Sequence, residues 1–233
     1  MQKNNIIHPT AIIEEGAQIG ENNYIGPFCH IHKNVVLGDG NRFESHISIG
    51  APAEHRDYFR KEPGKVEIGN NNIIREFITV TGGTTGTTKI GNNCVLQRGC
   101  YIGHDAHIEN NVNLSCNVLI AGYTIICDYA NLGQGCAIHQ NRVVGALSMI
   151  GMNSTVVENP LPFVISFGTP SNIQRVNEIG LQRAGVADKD IELFKTWYSK
   201  IKGYVTGDLK VGHEFDRYLD DYKDKLNYFA QKK

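Results

Sequence analysis

The residues of this chain best suited to acid–base chemistry near neutral pH are its histidines, of which there are nine. One of them, His104, lies between Gly103 and Asp105. An imidazole can remove a proton from an attacking hydroxyl or amine at neutral pH, and a carboxylate beside it can orient the ring. His104 is therefore a candidate general base that Asp105 could orient, although neighbouring side chains on a strand point to opposite sides.

An aliphatic or aromatic residue recurs at every sixth position over most of the chain. The positions are Ile7, Ile13, Ile19, Ile25, Ile31, Leu37, Phe43, Ile49, Ile68, Ile74, Val80, Ile90, Leu96, Ile102, Ile108, Leu114, Ile120, Ile126, Leu132, Ile138, Val144, Ile150 and Val156. This period fits neither an amphipathic helix, which repeats about every 3.6 residues, nor a sheet of hairpins. It indicates a solenoid in which each six-residue unit is a short strand plus a corner, and stacked coils share one interior.

A second column of small residues occupies the position two before each aliphatic residue, and we expect it to face inward as well. It includes Cys29, Cys94, Cys100, Ala106, Thr124, Ala130, Cys136, Ser148 and Ser154. His104 follows Ile102 by two residues and belongs to neither inward column, so its ring can reach a surface cleft. Four of the six cysteines fall in the small-residue column, so the register predicts that they pack in the core, with a nucleophilic cysteine as the alternative. The six cysteines contain no C-x-x-C pair, so no metal site is predicted from them.

Two segments interrupt the period, near residues 51–66 and 81–89, and both are predicted to be loops that project from corners. The repeat stops after Val156, where prolines follow. Apolar stripes then predict a helix from Asp188 to about Gly203 and a second near Glu214 to Ala230. The sequence thus predicts a mainly β solenoid domain over residues 1–170 and a small C-terminal α-helical domain over residues 171–233.

The charge balance and the absence of long apolar stretches limit the possible partners. Lys and Arg number 23 and Asp and Glu number 24, for a formal charge of -1, which argues against a nucleic-acid or anionic-membrane binder. The N-terminal residues lead into no signal-peptide stretch, and no window approaches the length of a membrane span. We expect a cytoplasmic protein with reduced thiols.

Several longer motifs carry a closer resemblance. They are His8-Pro9-Thr10-Ala11, Ile25-Gly26-Pro27-Phe28, Val66-Glu67-Ile68-Gly69, Ile74-Arg75-Glu76, Thr79 through Thr84, Gly103-His104-Asp105, Ala121-Gly122, Ala137-Ile138-His139-Gln140, Val176-Asn177 and Gly180-Leu181-Gln182-Arg183. Over almost its whole length the chain resembles the hexapeptide-repeat acyltransferases, and among them the UDP-N-acetylglucosamine O-acyltransferases of lipid A synthesis. The resemblance implies a left-handed parallel β-helix and a homotrimer with active sites between subunits. It also implies an acyl carrier protein thioester as donor, a nucleotide sugar as acceptor and no bound cofactor.

The resemblance also implies roles for individual residues. His104 takes the catalytic position, and the backbone N–H of Gly122 faces the developing oxyanion. The remaining positions are His139 and Gln140 for substrate or pantetheine, Tyr101 and Tyr123 for the sugar nucleotide, Asn177 and Arg183 for the diphosphate, and Met152 as the acyl-chain ruler. Surface corners are the alternative for His139 and Gln140, and an ordinary surface side chain is the alternative for Arg183.

This sequence departs from the family pattern in four places that concern substrate more than fold. Eighteen residues, one coil in the family's geometry, are missing between Phe28 and Ile49. Tyr101 and Tyr123 stand where the family carries histidines, and Ala184 stands where it carries a second arginine. Met152 is bulky for a ruler position, which favours a short or medium acyl chain.

These departures leave three functions open. The first is transfer of a 3-hydroxyacyl group from acyl carrier protein to a sugar hydroxyl. The second is N-acylation of a UDP- or dTDP-linked amino sugar with acyl-CoA or acyl carrier protein as donor. The third is a catalytically silent β-helix scaffold. A zinc site like that of the γ-carbonic anhydrases is not predicted, because the required set of spaced histidines is incomplete.

Overall fold

The structure is a computed structural model that describes residues 4–58 and 61–202, without the side chains of residues 197 and 200–202. The helix predicted near Glu214 to Ala230 lies outside the described residues. In chain order the strands are β1 (Ile6–Ile7), β2 (Ile12–Ile13), β3 (Gln18–Ile19), β4 (Tyr24–Ile25), β5 (His30–Ile31), β6 (Val35–Leu37), β7 (Arg42–Phe43), β8 (Ser48–Ala51), β9 (Val66–Ile68), β10 (Ile73–Ile74), β11 (Thr79–Thr81), β12 (Thr88–Ile90), β13 (Val95–Leu96), β14 (Tyr101–Ile102), β15 (His107–Ile108), β16 (Asn113–Leu114), β17 (Leu119–Ile120), β18 (Ile125–Ile126), β19 (Asn131–Leu132), β20 (Ala137–Ile138), β21 (Val143–Val144), β22 (Met149–Ile150), β23 (Thr155–Val156), β24 (Val164–Gly168) and β25 (Ser171–Val176).

The short strands stack into three sheets that form the three faces of a parallel β-helix. Sheet A has the order β1-β4-β7-β10-β13-β16-β19-β22-β24-β25, sheet B the order β2-β5-β8-β11-β14-β17-β20-β23, and sheet C the order β21-β18-β15-β12-β9-β6-β3. Up to β23, each strand pairs in parallel with the strand three before it, so that Ile102 lies beside Val80 and Ile120. The solenoid predicted from the six-residue period is confirmed.

The interior is filled by the aliphatic column that the period predicts. From Ile25 to Val156 the members of this column are at most 3% exposed, and the small-residue column is buried beside them. The first coil is the exception, since Ile7, Ile13 and Ile19 are only partly buried. Within the described residues a coil covers them on one side only, so part of their apolar surface stays in contact with water.

Asparagine side chains form a ladder along the corners that join sheet C to sheet A. Asn41 donates from Nδ2 to Asn23 Oδ1 at 3.1 Å, and Asn72 donates to Asn41 Oδ1 at 2.9 Å. All three side chains are buried, and Asn72 Oδ1 accepts the Cys94 N–H at 2.8 Å. The ladder satisfies polar groups at a buried corner and ties successive coils together.

The corners that join sheet B to sheet C, here called the B–C edge, carry both predicted loops. The segment 52–65 connects β8 to β9, and the segment 82–87 connects β11 to β12, one coil further along. The loops contact each other through the Gly64 N–H, which donates to Gly83 O at 2.9 Å. His104 and Asp105 form the B–C corner of the following coil, between β14 and β15.

Two helices follow the last strand: α1 (Glu178–Arg183) and α2 (Asp188–Lys202). Helix α2 matches the helix predicted from Asp188 to about Gly203. Ile191 and Phe194 of its predicted apolar stripe are buried. The chain forms two compact units with a boundary between Gln174 and Arg175, whereas the sequence predicts a boundary after residue 170. The difference arises because β25 still belongs to sheet A. Among the residues described, the helices are too short and too polar to traverse a bilayer.

Candidate active site

The candidate site is built from three consecutive corners of the B–C edge. His104–Asp105, Gly122–Tyr123 and Gln140–Asn141 occupy the same position in successive coils, 18 residues apart. The Tyr123 N–H donates to His104 O at 3.0 Å, and the Asn141 N–H donates to Gly122 O at 3.1 Å. The paired strands on either side hold these corners in line, so the separation between them is set by strand pairing.

His104 and Asp105 are hydrogen-bonded to each other although they are neighbours in sequence. His104 Nδ1 lies 2.9 Å from Asp105 Oδ2, and the two side chains are 16% and 4% exposed. The contact is possible because these residues form a turn, in which Asp105 has a φ of +59°, and the alternation of a strand does not apply. The expectation that Asp105 contacts the His104 ring therefore agrees with the geometry.

The loop of residues 82–87 folds over Asp105 and supplies most of its hydrogen bonds. Thr84 donates to Asp105 Oδ2 from Oγ1 at 2.6 Å and from its backbone N–H at 2.8 Å. The Gly86 N–H donates to Oδ1 at 2.7 Å. A Cβ added to Gly83 would lie 2.9 Å from Oδ1, so a side chain at this position would disturb the carboxylate. The glycine- and threonine-rich composition of the loop allows its backbone to approach the carboxylate closely.

These contacts keep Asp105 ionised. Burial by itself would raise the pKa of this carboxyl, but hydrogen bonds from Thr84, from His104 and from the Gly86 N–H lower it from 3.8 to about 2. An ionised carboxylate accepts a proton donor at His104 Nδ1, so the ring carries its hydrogen there. His104 Nε2 is then the nitrogen with a free lone pair, as a general base requires.

Gly122 lies directly against the His104 ring. A Cβ built on Gly122 would be 2.6 Å from His104 Cε1 and 2.7 Å from Nε2, which only glycine avoids. Among the hydrogen bonds of the described residues, none has the Gly122 N–H as donor. The free nitrogen of the ring and this peptide group therefore belong to one small region, as transfer of an acyl group would require.

Two tyrosines flank the histidine. Tyr123 is packed edge-on to His104, with ring centroids 5.1 Å apart, and its hydroxyl lies 2.8 Å from Thr84 Oγ1. Tyr101 is half-buried on β14, and burial raises the pKa of its phenol. Tyr123 thus contacts the predicted base directly, while Tyr101 lies on the strand that leads into the corner.

His139 and Gln140 form the next corner along the edge, and both are exposed. His139 Nδ1 lies 3.2 Å from the Gln140 carbonyl oxygen. The structure thus brings His104, Asp105, Gly122 and Tyr123 into contact, with His139 and Gln140 one coil beyond Gly122.

The chain is similar to a known family of bacterial transferases. A family model described as bacterial transferase hexapeptide (six repeats) matches residues 1–33, 16–46 and 87–122. The acyl-(acyl-carrier-protein)–UDP-N-acetylglucosamine O-acyltransferase of Burkholderia orbicola is 36% identical over 82% of this chain and 81% of its own length. The enzyme of the same name from Bartonella henselae is 37% identical over 81% of this chain and 76% of its own. The chain belongs to the UDP-N-acetylglucosamine O-acyltransferase family.

The fold is shared with solved structures of this acyltransferase family. The UDP-N-acetylglucosamine acyltransferase of Bacteroides fragilis superposes with a TM-score of 0.74, at 33% identity, over 83% of each chain. A superposition of this quality distinguishes the two hands of a solenoid. The predicted left-handed parallel β-helix is therefore confirmed.

Met152, the residue predicted to limit the length of the acyl chain, lies on a different edge of the β-helix from His104. It is in the corner between β22 and β23, which joins sheet A to sheet B, and it is 70% exposed. We call this row of corners the A–B edge. Within one chain the structure does not bring Met152 and His104 together.

Asn177 and Arg183 lie in the second compact unit. Asn177 is the N-cap of α1, where its side-chain oxygen accepts the Gly180 N–H at 3.1 Å. Arg183 is exposed in the last turn of the same helix. Contact of these two residues with a diphosphate remains a prediction.

Four of the six cysteines pack in the core of the β-helix. All six are free, and Cys29, Cys94, Cys100 and Cys136 are buried. Burial raises the pKa of Cys94 and Cys100 to about 11 and that of Cys136 to about 12. Thiols with such pKa values are weak nucleophiles at neutral pH, which confirms their assignment to the core.

Sequence reasoning missed two features. Thr84 was included in a resembling motif without a role, and only the folded loop shows that it bonds Asp105 and Tyr123. Nothing in the sequence indicated that His30 and His32 both contact Glu14, on the B–C edge near the N-terminus. A shallow groove on the outside of sheet C, lined by Glu67, Lys89 and others, does not include His104.

Proposed function

We propose that this chain transfers an acyl group from the thioester of acyl carrier protein to a nucleotide-linked sugar such as UDP-N-acetylglucosamine. The 3-hydroxyacyl chain is short to medium in length. The observation that supports this function most strongly is the His104–Asp105 pair, with its free nitrogen beside Gly122. The names of the relatives from Burkholderia orbicola and Bartonella henselae carry the same donor and acceptor.

The reaction proceeds by direct transfer, without a covalent enzyme intermediate. His104 Nε2 removes the proton from the sugar hydroxyl, and the oxygen attacks the thioester carbonyl carbon. The N–H of Gly122 donates to the oxyanion of the tetrahedral intermediate. The C–S bond then breaks, and the departing thiolate takes the proton from His104, which restores the neutral ring. No bound cofactor is required, and we expect the reaction to occur in the cytoplasm.

We further propose that the enzyme is a homotrimer with its active sites between subunits. His104 lies on the B–C edge and Met152 on the A–B edge of the same β-helix. One acyl chain can contact both positions only if a second copy brings its A–B edge to the B–C edge of the first. The exposed Met152 side chain of one copy would then end the groove that begins at His104 of another.

N-acylation of a UDP- or dTDP-linked amino sugar is the second candidate. The observation that favours it is the position of Tyr123, whose hydroxyl is held by Thr84 next to His104 where the family pattern has a histidine. A changed contact at this point alters the recognition of the sugar while the base is retained. The donor would be acyl-CoA or acyl carrier protein.

A panel of substrates separates these functions. The purified protein is incubated with UDP-N-acetylglucosamine or with UDP- and dTDP-linked amino sugars, each with 3-hydroxyacyl carrier protein or acyl-CoA, and products are identified by mass spectrometry. An ester product from UDP-N-acetylglucosamine and the carrier-protein donor supports the first function. An amide product supports the second, and no product with any pair supports a silent scaffold.

The role of His104 is tested on whichever pair is turned over. Replacement His104→Ala is expected to lower kcat by about 10²–10⁴-fold, because a positioned general base contributes about that much. His8→Gln, in the first coil, is the matched control and should retain wild-type kcat. Equal activity of His104→Ala and the wild type would exclude His104 as the base.

A further inference from the structure

A second cluster of histidines lies on the B–C edge, three coils before the active site. It consists of Glu14, between β2 and β3, together with His30 and His32 at the end of β5. We call it the N-terminal cluster. The strands β5, β8, β11 and β14 separate it from His104 by three steps of about 4.8 Å. It is therefore distinct from the catalytic corner.

The three side chains converge on one point. His30 Nε2 lies 2.9 Å and His32 Nδ1 lies 3.1 Å from the same oxygen, Glu14 Oε1. One ligand atom from each residue can be chosen so that all three are within 4.8 Å of one another. The two imidazole rings are stacked, with centroids 3.9 Å apart. Two imidazole nitrogens and a carboxylate oxygen form a donor set that zinc and related ions prefer over magnesium or calcium.

The spacing of these atoms suits a small ion. Zinc bonds of roughly 2.0–2.2 Å at tetrahedral angles place ligand atoms roughly 3.3–3.6 Å apart. The two measured N···O separations are slightly shorter than that, so the side chains would need only small rotations to take up an ion. Their exposures of 38%, 18% and 32% for His30, His32 and Glu14 leave room for water as a further ligand.

The charges around the cluster also favour a cation. The side chain of Lys33 bonds Glu62 at 2.8 Å instead of Glu14, and only its backbone N–H donates to Glu14, at Oε2. Glu14 Oε1 is therefore left to the two imidazole nitrogens.

We propose that Glu14, His30 and His32 bind one divalent transition-metal ion of the zinc type and that the ion links the first coil of the β-helix to the second. Glu14 belongs to the first coil and both histidines to the second. The first coil is where the link has most effect, because Ile7, Ile13 and Ile19 are only partly buried there. An ion bound across the two coils would oppose fraying of this end.

Binding is tested on the full-length protein without a histidine tag, after treatment with a chelator. Titration with Zn²⁺ in a calorimeter is expected to give one ion per chain, and Co²⁺ should give visible absorption bands typical of nitrogen and oxygen ligation. Each of His30→Gln, His32→Gln and Glu14→Gln should weaken Zn²⁺ binding by more than about tenfold, because each removes a ligand.

Two control variants keep the test specific. His55→Gln alters an exposed histidine of the loop after β8, and His104→Ala alters the catalytic corner; both should bind Zn²⁺ like the wild type. Lack of saturable binding near one ion per chain would overturn the proposal. Equal loss of affinity in either control variant would do so as well.

The linking role has a separate readout. Hydrogen exchange of the amides of Ile6 and Ile12, which are hydrogen-bonded to the second coil, should slow when Zn²⁺ is added to the wild type. The same amides in His32→Gln should exchange at a rate independent of Zn²⁺. Unchanged exchange in the wild type at saturating Zn²⁺ would rule out the link between the coils.

Discussion

At the scale of single residues, the catalytic corner fixes the orientation and the tautomer of one imidazole. Asp105 holds His104 Nδ1, and the loop in turn holds Asp105 through Thr84 and Gly86. Each contact restricts the next, so the direction of Nε2 is determined by Asp105 and by the loop that holds Asp105. This arrangement resembles the orientation of a catalytic histidine by a carboxylate in other acyl-transfer enzymes.

Gly122→Ala tests how closely the ring is confined. The added Cβ would lie 2.6 Å from His104 Cε1, so the ring must move. We expect kcat to fall by about a hundredfold or more, because a displacement of about 1 Å has an effect of that size. Steady-state kinetics measure kcat of the variant, and circular dichroism checks that it is folded like the wild type. Ala121→Gly, which removes a Cβ at the preceding position, is the control, and wild-type kcat in Gly122→Ala would contradict this contact.

The lowered pKa of Asp105 predicts a contribution to stability that depends on pH. The shift from 3.8 to about 2 corresponds to about 2 kcal/mol. Because the folded pKa is the lower one, this contribution is complete well above pH 3.8 and is lost as the pH falls through about 2. The difference in unfolding free energy between wild type and Asp105→Asn should therefore shrink from pH 6 to pH 2.5.

The measurement is urea denaturation of both proteins at one fixed protein concentration, since an oligomer's stability depends on it. Asp57→Asn is the control, because Asp57 is 72% exposed in the loop after β8. Its difference from the wild type should not change with pH in the same way. A difference for Asp105→Asn that is constant over this range would contradict the ionised, hydrogen-bonded carboxylate.

At the scale of elements, the loop between β11 and β12 supports the corner that carries the proposed base. It is one coil away from the corner it serves and covers the carboxylate with backbone N–H groups. An insertion at a corner leaves the strand register unchanged on both sides. The frame can therefore carry a functional loop without loss of packing.

Thr84→Val isolates the side-chain part of this support. The replacement removes the hydrogen bond that Oγ1 donates to Asp105 Oδ2 and the one that it accepts from the Tyr123 hydroxyl, but it leaves the backbone N–H in place. We expect kcat to fall by about tenfold and the pKa of Asp105 to rise, because a charge-assisted hydrogen bond contributes about 1.5–3 kcal/mol.

Thr85→Val is the matched control. Its hydroxyl lies 3.2 Å from the Tyr123 hydroxyl, and its bond to Asp105 comes from the backbone N–H. Kinetics across pH and the chemical shift of the Asp105 carboxyl carbon report on the two effects. Similar losses in both variants would show that general loop packing is responsible, and not the contact with Asp105.

The sequence predicted the fold well because the solenoid is repetitive. A column such as Ile102, Ile120 and Ile138 repeats the same inward position in three successive coils. The register can therefore be read even where one coil departs from the pattern. The corner position of His104 followed from the same register. Handedness did not, because a period of six residues is compatible with either hand.

The site was predicted only in part, because two of its contacts depend on loop conformation. Nothing in the run Thr81 to Lys89 indicates that Thr84 bonds Asp105, since these residues lie in different coils. The contact of His104 with Asp105 was uncertain because strand alternation would separate the two side chains. The left-handed conformation of Asp105 at the corner removes that obstacle. Likewise, the pairing of Glu14 with His30 and His32 requires the stacking of two coils.

At the scale of the whole molecule, the separation of His104 and Met152 on different edges predicts a site that two copies share. The test uses trimers assembled from wild-type chains and chains that carry both His104→Ala and Met152→Gly. The double variant lacks the proposed base, and the wild type is expected to be limited by Met152 to short or medium chains. If the groove runs between copies, mixed trimers gain transfer of longer 3-hydroxyacyl chains, because a wild-type His104 then meets Gly at position 152.

The two parent trimers, assembled separately and then combined, are the control and should lack this long-chain activity. Gln134→Gly in place of Met152→Gly tests position, since Gln134 occupies the same corner one coil earlier. Chain-length profiles are measured with a series of acyl carrier protein thioesters. Mixed trimers that transfer only short chains would contradict a ruler supplied by a neighbouring copy.

Strand pairing in steps of one whole coil also bears on how such chains change length over evolution. Most coils here contain 18 residues, and each interior side chain lies above its counterpart in the coil before. Loss or duplication of an 18-residue segment joins two equivalent corners and leaves both the interior columns and the corner ladders continuous. Length can therefore change in discrete units at little cost to folding, whereas a deletion of five or seven residues would turn the interior column outward. The coil predicted to be missing between Phe28 and Ile49 is a change of the tolerated size, and it lies well away from the corner that carries His104.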